Sequence, residues 1–332
     1  MSRTIAIVGT INRDRIILPN GEVHEDLGGI LYNTLALAPF VQEEVRILPV
    51  ARIGEEERHR VHGFLDGVHV VDAGLLLWSA AGTNETVLRY ITADRREETL
   101  VERIVPLTWE EIEGAAGADI LLINMIWGRE LTPDLLARLT RTSRGPTVLD
   151  IQSLPLTFET GPGRAYRVIR RWREWARAVH TVKGNEEEVR WFLGEGERAF
   201  AGRLIEGAAR ILDQGARVVL VTRGTAGFLY FSREEGDVRE ASFPATPGLT
   251  GEAVDTTGCG DAFSSGYVLG LLRSESPLES ALLGNALAGL VSRCRGLQAL
   301  RTLADPVALR ERAYRSTLSR IRADREGESS SG

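Results

Sequence analysis

Short apolar runs alternate with amphipathic stretches along the first two thirds of the chain. The apolar runs are rich in β-branched residues and lie at Thr4–Val8, Val45–Ala51, Ile120–Asn124, Thr147–Asp150, Ala178–Val182 and Val218–Thr222. Segments with helical periodicity lie between them, at Gly29–Phe40, Pro133–Arg141, Ala165–Arg177 and Ala199–Gln214. Strands that alternate with helices form βαβ units, which build a largely parallel sheet with helices on both faces. The pattern therefore predicts an α/β protein with three α/β/α layers around a central, mostly parallel sheet.

Two β-rich segments interrupt this alternation. They span Ile16–Asp26 and Leu75–Val101, and they contain a turn at Pro19-Asn20-Gly21, strand-like runs at Leu75–Ser79 and Thr86–Thr92, and a charged turn at Asp94–Glu98. We expect residues 12–27 and 75–102 to form one small sheet that covers the main sheet as a lid, with two ordinary surface hairpins as the alternative. Because a small sheet is marginally stable alone, its exposed face is also a candidate for pairing two subunits.

The last third of the chain is predicted to be mainly helical. Helices are expected at Gly260–Leu272, Leu278–Arg293 and Asp305–Arg320. The segment Glu326–Gly332 is rich in Ser, Gly and Glu, so it has too little apolar surface to pack and is predicted to be disordered. We therefore expect one domain over residues 1–325.

Composition argues against several classes of protein. Hydrophobic residues make up 43% of the 332 residues, enough for a sizeable core. The formal net charge is −6 with no long basic block, which argues against nucleic acid as the main partner. The two cysteines, Cys259 and Cys294, form no disulfide framework and indicate a reducing compartment. Without a signal-peptide core or the run of about 18 apolar residues that a membrane helix needs, the sequence predicts a cytoplasmic protein with no membrane partner.

The most informative segment is Asp255–Asp261, with the sequence Asp-Thr-Thr-Gly-Cys-Gly-Asp, which runs into a predicted helix. Its two glycines, Gly258 and Gly260, let the backbone turn tightly and let an anion approach the N–H groups. The N-terminus of the following helix favours negative charge through its unpaired N–H groups and its dipole. We therefore expect this turn to bind a phosphoryl group.

Asp261 lies at the mouth of this turn. An Asp at a helix start is ordinarily a cap, but a cap does not account for the two glycines or for a second acid, Asp255, six residues upstream. A carboxylate beside a phosphate pocket can accept the proton of an attacking hydroxyl group. Cys259 has no His near it in the sequence, so we interpret it as a small filler residue rather than a nucleophile.

The run Asp255–Phe263 resembles the C-terminal signature of the ribokinase family, also called the PfkB carbohydrate kinases. Four further segments resemble motifs of that family in the expected order, at Gly9–Asp14, Gly28–Asn33, Asn185–Glu188 and Thr222–Gly227. The resemblance extends over most of the chain and implies a ribokinase-like fold. It also implies ATP-dependent phosphorylation of a hydroxyl group on a sugar or sugar-like small molecule.

The resemblance implies a role for each matching position. Catalysis falls to Asp261 as general base and to Gly258, Cys259 and Gly260 as the anion hole. Substrate contacts are implied at Asn12, Asp14, Gly28, Gly29 and Asn33, and Asn124 after a strand and Arg89 in the proposed lid are further candidates. Nucleotide contacts are predicted at Asn185, Thr222, Gly224, Gly227 and Asn285. Glu188 and Asn185 are implied to position Mg²⁺, and Asp255 with Thr257 is a candidate site for a monovalent cation such as K⁺.

Each of these motifs also has a purely structural interpretation. Asn12 and Asp14 follow a strand, where an Asx turn can close the strand end. The acidic start of the helix Glu186–Leu193 complements the helix dipole, and Gly224 and Gly227 suit a plain hairpin turn. Five motifs in the expected order favour the functional interpretation.

Two segments depart from the pattern of the family. Ile30-Leu31-Tyr32 replaces a polar or small run inside the double-glycine motif, which indicates an apolar substrate wall or tighter core packing. Arg295–Leu300 replaces the Gly-Ala…Pro loop that helps related enzymes bind a monovalent cation. The first difference argues against ribose itself as the substrate.

The sequence also bears on three other functions. A nucleoside kinase of the same family would place Tyr32 and the apolar Ile30-Leu31 beside a base. A ligand-binding regulator that has lost catalysis is less consistent with the intact glycine turn and Asp261. A dinucleotide-binding oxidoreductase is set aside, because no three-glycine fingerprint follows the first strand.

Overall fold

The computed structural model describes residues 3–17, 19–91, 96–157, 164–246, 249 and 253–329. Its strands are β1 (Arg3–Val8), β2 (Arg13–Ile17), β3 (Val23–Leu27), β4 (Val45–Gly54), β5 (Leu76–Ser79), β6 (Glu85–Tyr90), β7 (Arg96–Val101), β8 (Ile120–Asn124), β9 (Thr147–Asp150), β10 (Thr181–Asn185), β11 (Val218–Thr222), β12 (Phe228–Glu234) and β13 (Asp237–Phe243). Its helices are α1 (Ile30–Leu37), α2 (Arg58–Leu65), α3 (Trp109–Ile112), α4 (Pro133–Thr140), α5 (Trp172–Arg177), α6 (Glu186–Phe192), α7 (Leu204–Leu212), α8 (Cys259–Leu272), α9 (Pro277–Val291), α10 (Pro306–Ala313) and α11 (Arg315–Ser329). None of the helices in these residues is long and apolar enough to cross a membrane.

Nine strands form the central sheet, in the order β13-β12-β11-β10-β9-β8-β1-β4-β5. All of them run parallel to their neighbours except β12 and β13, which are antiparallel. In β1, Ile5 and Ile7 pack into one buried cluster with α1, α8 and α9, whereas Ala6 and Val8 pack into a second cluster with α4 to α7. The sheet is therefore covered by helices on both faces, which confirms the predicted three-layer α/β/α architecture.

A second sheet of four strands has the order β3-β2-β6-β7 and is called the small sheet below. β2 pairs with β3 and with β6, so Asp14 lies opposite both Asp26 and Thr86. This confirms the predicted second sheet with one correction, since the predicted lid strand Leu75–Ser79 is part of the central sheet. There β5 pairs with β4, which would otherwise present an unpaired edge.

The predicted charged turn Asp94–Glu98 lies partly outside the described residues. Residues 92–95 are not described, and the run from Arg96 onward belongs to β7. The acidic residues at its end therefore lie on a strand, where every second side chain faces the same side of the sheet.

Two predicted elements around α5 begin elsewhere. The predicted strand Ala178–Val182 begins too early, since the observed strand is β10. The backbone N–H group of Ala178 still donates to carbonyl oxygens of α5, so this residue belongs to the end of that helix. The predicted helix Ala165–Arg177 begins only at α5. The guanidinium groups of Arg164 and Arg167 bind backbone carbonyl oxygens of the 154–157 segment instead, which holds the chain before α5 in an irregular path. The predicted helix Ala199–Gln214 is shortened to α7.

The C-terminal helices also differ from their predicted bounds. The predicted helix Asp305–Arg320 is divided into α10 and α11 at Tyr314, whose φ of −122° and ψ of 25° leave the helical region. α11 continues through Ser329, and residues 330–332 lie outside the described residues. Disorder of the segment Glu326–Gly332 stays a prediction. Extension of a formed helix is easy, because each added residue gains a hydrogen bond without the cost of nucleation.

Candidate active site

A cavity of about 360 Å³ lies between the small sheet and the carboxyl ends of the central strands, and it is called the central cavity below. Open parallel sheets bind ligands at this edge. Its wall is formed by Asn12, Asp14, Gly29, Tyr32, Thr86, Leu88, Glu98, Ile126, Gln152, Ser153, Asn185, Thr256, Thr257, Gly258, Gly260 and Asp261. Sequence motifs did not single out the lining residues of β6 and β7 or the pair Gln152-Ser153. Two sequence features could have identified these residues. Alternate side chains along β6 and β7 face the same side of the small sheet, and Gln152-Ser153 follows the end of β9.

Gly258 shapes the turn before α8. Its φ of 76° lies in the left-handed region, which costs other residues about 1–2 kcal/mol. A Cβ atom on Gly258 would lie 2.1 Å from Cδ1 of Tyr32, so the tyrosine ring packs directly against the glycine. Both residues line the central cavity, so the start of α8 lies in its wall.

We expect Gly258→Ala to destabilise the protein more than Gly236→Ala. Both glycines have positive φ, at 76° and 93°, but nothing lies within 4 Å of a Cβ atom at Gly236. Gly236→Ala should cost only the backbone strain of about 1–2 kcal/mol, whereas Gly258→Ala must also displace Tyr32. Urea unfolding of the two variants measures the difference. Equal losses would show that Tyr32 yields freely and does not constrain the turn.

Asp261 is buried in the first turn of α8 and lines the central cavity. Asn124 Nδ2 donates to its Oδ1 at 2.7 Å, and Asn33 Nδ2 donates to its backbone carbonyl oxygen at 2.8 Å. Burial and the charge of Asp150 raise the pKa of Asp261 to about 6, against the opposing influence of Lys183 and Asn124. The carboxyl group therefore ionises just below neutral pH, where a general base is effective.

Asn33 and Asn124 were predicted to contact substrate. Both are fully buried and neither lines the central cavity. Asn124 Nδ2 also donates to Asn33 Oδ1 at 2.8 Å, so the two amides form a chain of hydrogen bonds that orients Asp261. The structure therefore brings them to the predicted base rather than to the cavity, because their strand and helix meet behind α8.

A buried ion pair beneath the glycine turn has no counterpart among the sequence motifs. Lys183 Nζ donates to Asp150 Oδ2 at 2.7 Å and to the Gly260 carbonyl oxygen at 3.2 Å, and Ser264 Oγ donates to the same Asp150 oxygen at 2.8 Å. Burial lowers the pKa of Lys183, but the charges of Asp150 and Glu188 outweigh it and the net shift is upward. The pair thus ties β9 and β10 to the start of α8.

Asn12 and Asp14 line the central cavity beside the glycine pair. Asn12 Nδ2 donates to Asp14 Oδ1 at 2.5 Å. A Cβ atom on Gly28 would lie 2.0 Å from Asp14 Oδ2, and one on Gly29 would lie 2.0 Å from the Thr10 carbonyl oxygen. Gly29 also has a φ of 67°. Close packing at the junction of the two sheets therefore requires glycine at both positions, in addition to any hinge role.

Asn185 and Glu188 form a capping box at the start of α6. The N and Nδ2 atoms of Asn185 donate to the two carboxylate oxygens of Glu188 at 2.7 Å, and burial raises the pKa of Glu188 to about 8 although Lys183 opposes the shift. Mg²⁺ uses few carboxylates and keeps several waters, so this pair fits a hydrated ion held through water. The described residues contain no group of three His, Cys, Asp or Glu side chains that could hold a metal directly.

Three of the residues predicted to bind nucleotide lie along the same edge but do not line the central cavity. Thr222 ends β11, and Gly224 and Gly227 form the turn that leads into β12. A Cβ atom on Gly227 would lie 2.0 Å from the Phe243 carbonyl oxygen, so packing against β13 requires this glycine. Nucleotide binding by this turn stays a prediction.

Asn285, the fourth nucleotide candidate outside the cavity, lies on α9. Its Nδ2 donates to the Pro244 carbonyl oxygen at 2.8 Å and to the Tyr314 hydroxyl group at 2.5 Å. The amide therefore holds the segment after β13 against α9. A contact with nucleotide is a prediction beyond this packing role.

Asp255 lines a second cavity of about 400 Å³, which adjoins the central cavity at Tyr32. Its Oδ1 accepts a hydrogen bond from the Thr257 N–H group at 2.8 Å. The guanidinium-bearing Arg295, from the segment that departs from the family pattern, lines the same cavity. A K⁺ site at Asp255 stays a prediction.

Burial decides three further predictions. Of Ile30-Leu31-Tyr32, the tyrosine lines the cavity and the two aliphatic residues are fully buried in the core, which favours tighter core packing over an apolar substrate wall for these two. Arg89 is exposed, because Thr86 and Leu88 of β6 face the cavity and Arg89 lies on the other side of the strand. Burial raises the pKa of Cys259 to about 12, so its thiol stays protonated, as a filler residue would.

Comparisons with known proteins agree with this geometry. Residues 164–303 match the sequence model of the pfkB family carbohydrate kinases. A cytidine kinase from Thermococcus kodakarensis is 37% identical over 110 residues, which are 33% of this chain and 35% of that protein. The chain spans about a third of the length of the first curated relatives that it matches.

Solved structures share the fold over most of the chain. A ribokinase from Arabidopsis thaliana, in complex with ribose and ATP, has a TM-score of 0.69 and 18% identity, over 93% of this chain and 98% of that one. A pyrophosphate-dependent kinase of the ribokinase family, bound to a pyrophosphate analog and myo-inositol, has a TM-score of 0.71 and 20% identity, over 88% and 96%. The three layers and the small sheet thus form a ribokinase-like fold. The match over residues 164–303 makes this part of the chain similar to the pfkB family of carbohydrate kinases.

Proposed function

We propose that the protein is an ATP-dependent kinase that phosphorylates a hydroxyl group on a sugar or sugar-like small molecule. The observation that carries this proposal is the position of Asp261 between the central cavity and the glycine turn, with its carboxylate oriented by Asn124. A hydroxyl group in the cavity can reach this carboxylate while a phosphoryl group faces the start of α8. Phosphoryl transfer depends on such positioning and on electrostatic stabilisation.

In this mechanism ionised Asp261 accepts the hydroxyl proton as the hydroxyl oxygen attacks the γ-phosphorus of ATP. The bond from that phosphorus to the bridging oxygen breaks, and ADP leaves. The N–H groups of the Gly258–Gly260 turn stabilise charge on the transferred phosphoryl group, and Lys183 holds this turn against β10. The small sheet acts as a lid that excludes water, which competes as phosphoryl acceptor.

The small sheet has a second proposed role. Its outer face carries Val23, which is 44% exposed, beside the ion pair of Arg15 and Glu25. Apolar area bordered by charges is common at contacts between subunits. We therefore propose this face as the surface that pairs two copies of the chain.

ADP release by the purified chain tests the kinase proposal. The assay supplies ATP, Mg²⁺ and a panel of sugars, sugar acids, inositols and nucleosides, and we expect release above the acceptor-free rate with at least one of them. Pyrophosphate is a parallel donor, because one structural neighbour is a pyrophosphate-dependent kinase. Transfer from pyrophosphate but not from ATP would identify pyrophosphate as the phosphoryl donor. No transfer from either donor would contradict the proposal and favour a ligand-binding regulator.

A nucleoside kinase is the second candidate. The second cavity of about 400 Å³ adjoins the central cavity at Tyr32, so it offers room for a base beside a ribose. The similarity to a cytidine kinase supports the same alternative. A kcat/KM for cytidine or adenosine above that for ribose and fructose would favour it over a sugar kinase.

Asn185 and Glu188 are proposed to hold hydrated Mg²⁺, which neutralises phosphate charge when bound. We expect Glu188→Gln to raise the Mg²⁺ concentration needed for half-maximal rate. Because the pKa of Glu188 is about 8, the wild-type requirement for Mg²⁺ should fall as rising pH ionises this carboxyl group, and the variant should lose that dependence. Glu187→Gln is the control, since Glu187 binds Trp191 on the exposed side of α6. An unchanged Mg²⁺ titration would leave Glu188 with only its capping role.

A further inference from the structure

Three side chains that carry carboxyl groups line the central cavity. Asp14 and Glu98 of the small sheet line it together with Asp261. Two buried lining atoms, Asn12 Oδ1 and Gln152 Oε1, have no hydrogen-bond partner within the protein. Asn12 is only 5% exposed, and a buried acceptor without a donor indicates that a ligand supplies one. Hydroxyl and ammonium groups are donors of this kind.

Within the described part of the chain, no Lys, Arg or His side chain lines this cavity. Two cations beside it are already engaged: Lys183 pairs with Asp150, and the side chain of Arg164 is 2% exposed. It donates to Glu98 Oε1 at 3.0 Å and to the backbone carbonyl oxygens of Trp127 and Thr157 at 3.1 and 3.0 Å. Sites that bind phosphate or carboxylate groups supply Arg or Lys donors. An anionic acceptor would therefore be desolvated opposite carboxylates without a compensating charge, which is costly.

The pKa of Asp14 reflects both the burial of this site and the negative charges around it. Burial, Glu98 and Asp261 together raise the pKa of Asp14 to about 8. A field that disfavours one more negative charge on a protein group also disfavours a negative charge on a bound molecule, and it favours a positive one.

We propose that the acceptor is an uncharged or amino-substituted polyhydroxyl ring, and that Glu98 makes the site reject sugar phosphates and sugar acids. This inference rests on the proposed kinase function. Glu98 lies opposite Leu88 in the pairing of β7 with β6, so both side chains face the cavity. The ion pair with Arg164 fixes the Glu98 carboxylate in that position.

Matched acceptors test the proposal with the full-length chain. The pairs are fructose and fructose 6-phosphate, glucosamine and gluconate, and cytidine and cytidine 5′-monophosphate. In each pair that reacts, we expect kcat/KM of the anionic member to be lower by on the order of 100-fold or more, as for one unpaired buried charge. Glu98→Gln keeps a hydrogen-bond acceptor for Arg164. It should reduce the ratio of kcat/KM between the two members of a pair by at least about tenfold, the influence of one neighbouring charge.

Glu97→Gln is the matched control, because Glu97 adjoins Glu98 on β7 but faces the outer side of the small sheet. A wild-type preference for the anionic member would overturn the proposal, whether or not Glu98→Gln folds. If Glu98→Gln, like Glu97→Gln, leaves the ratio of kcat/KM between the two members of a pair unchanged, the assignment of the selectivity to Glu98 is overturned. Failure of every acceptor, neutral, cationic or anionic, would instead contradict the kinase function, and this inference with it.

Discussion

Asp261→Asn is expected to lower kcat by roughly 10²–10⁴, the range for loss of a general base, while ATP still binds. The amide keeps an oxygen that can accept the hydrogen bond from Asn124, but it cannot take a proton from the attacking hydroxyl group. Steady-state kinetics with the best acceptor of the panel measures the loss, and calorimetry measures ATP binding. The two readouts separate a chemical defect from a binding defect.

The pH dependence should identify the same residue. With the pKa of Asp261 at about 6, wild-type kcat should fall by about tenfold per pH unit well below that value as the base becomes protonated. Asp261→Asn should lack this acidic limb. The stability of the wild-type protein should depend on pH in the opposite direction to kcat. The pKa in the folded protein lies above the ordinary 3.8, so the contribution of Asp261 to the free energy of unfolding declines as pH rises from 3.8 through about 6. The variant should therefore melt no lower than wild type at pH 7.

Asp237→Asn is the matched control, because Asp237 is exposed on β13 and its loss removes a carboxylate far from the cavity. It should keep wild-type kcat and the wild-type pH profile. Activity of Asp261→Asn within a fewfold of wild type, or an acidic limb that persists in it, would contradict the assignment of the base.

Lys183→Met is expected to destabilise the protein by about 3–5 kcal/mol, the loss that follows when one member of a buried ion pair is removed. Asp150, which is 0% exposed, would lose its ion-pair partner and retain the hydrogen bond from Ser264. Lys183 also lowers the pKa of Asp261. The acidic limb of the pH profile should therefore move to higher pH in the variant, an effect that a purely structural role would not produce.

The double variant Lys183→Met, Asp150→Asn is the control for the ion pair. It removes both charges, so it should recover part of the lost free energy of unfolding and bring the pH profile back toward that of wild type. Urea unfolding and the pH dependence of kcat measure the two effects. A loss below about 1 kcal/mol in Lys183→Met would place the pair among exposed ion pairs of little energetic value and would contradict its role in holding the turn.

Prediction from sequence was most accurate for the buried strands. The runs Thr4–Val8, Ile120–Asn124 and Val218–Thr222 match β1, β8 and β11 closely, because a strand covered on both faces must be apolar throughout. The strand predicted at Ala178–Val182 ends before Lys183, because this residue interrupts the apolar pattern of β10. That lysine is buried nonetheless, because Asp150 of the neighbouring strand compensates its charge.

Contacts between distant segments were beyond prediction. Whether the run Leu75–Ser79 pairs with β4 or with the lid depends on which edge is free in three dimensions. Asn33 and Asn124 carry the right residue types near the site, but only the crossing of α1, β8 and α8 shows that they orient Asp261 and do not touch the cavity.

Local sequence was sufficient for the α/β class, for the β-rich segments that interrupt it and for the position of the glycine turn with Asp261. Each of these depends on periodicity, turn chemistry or a helix N-terminus, which a few consecutive residues encode. Packing between elements determined three further features of the site. They are the hydrogen bond from Lys183 to Asp150, the direction of Glu98 toward the cavity and the contact of Tyr32 with Gly258. These contacts join residues far apart in the chain, and burial and charge compensation select them only when the layers close on one another.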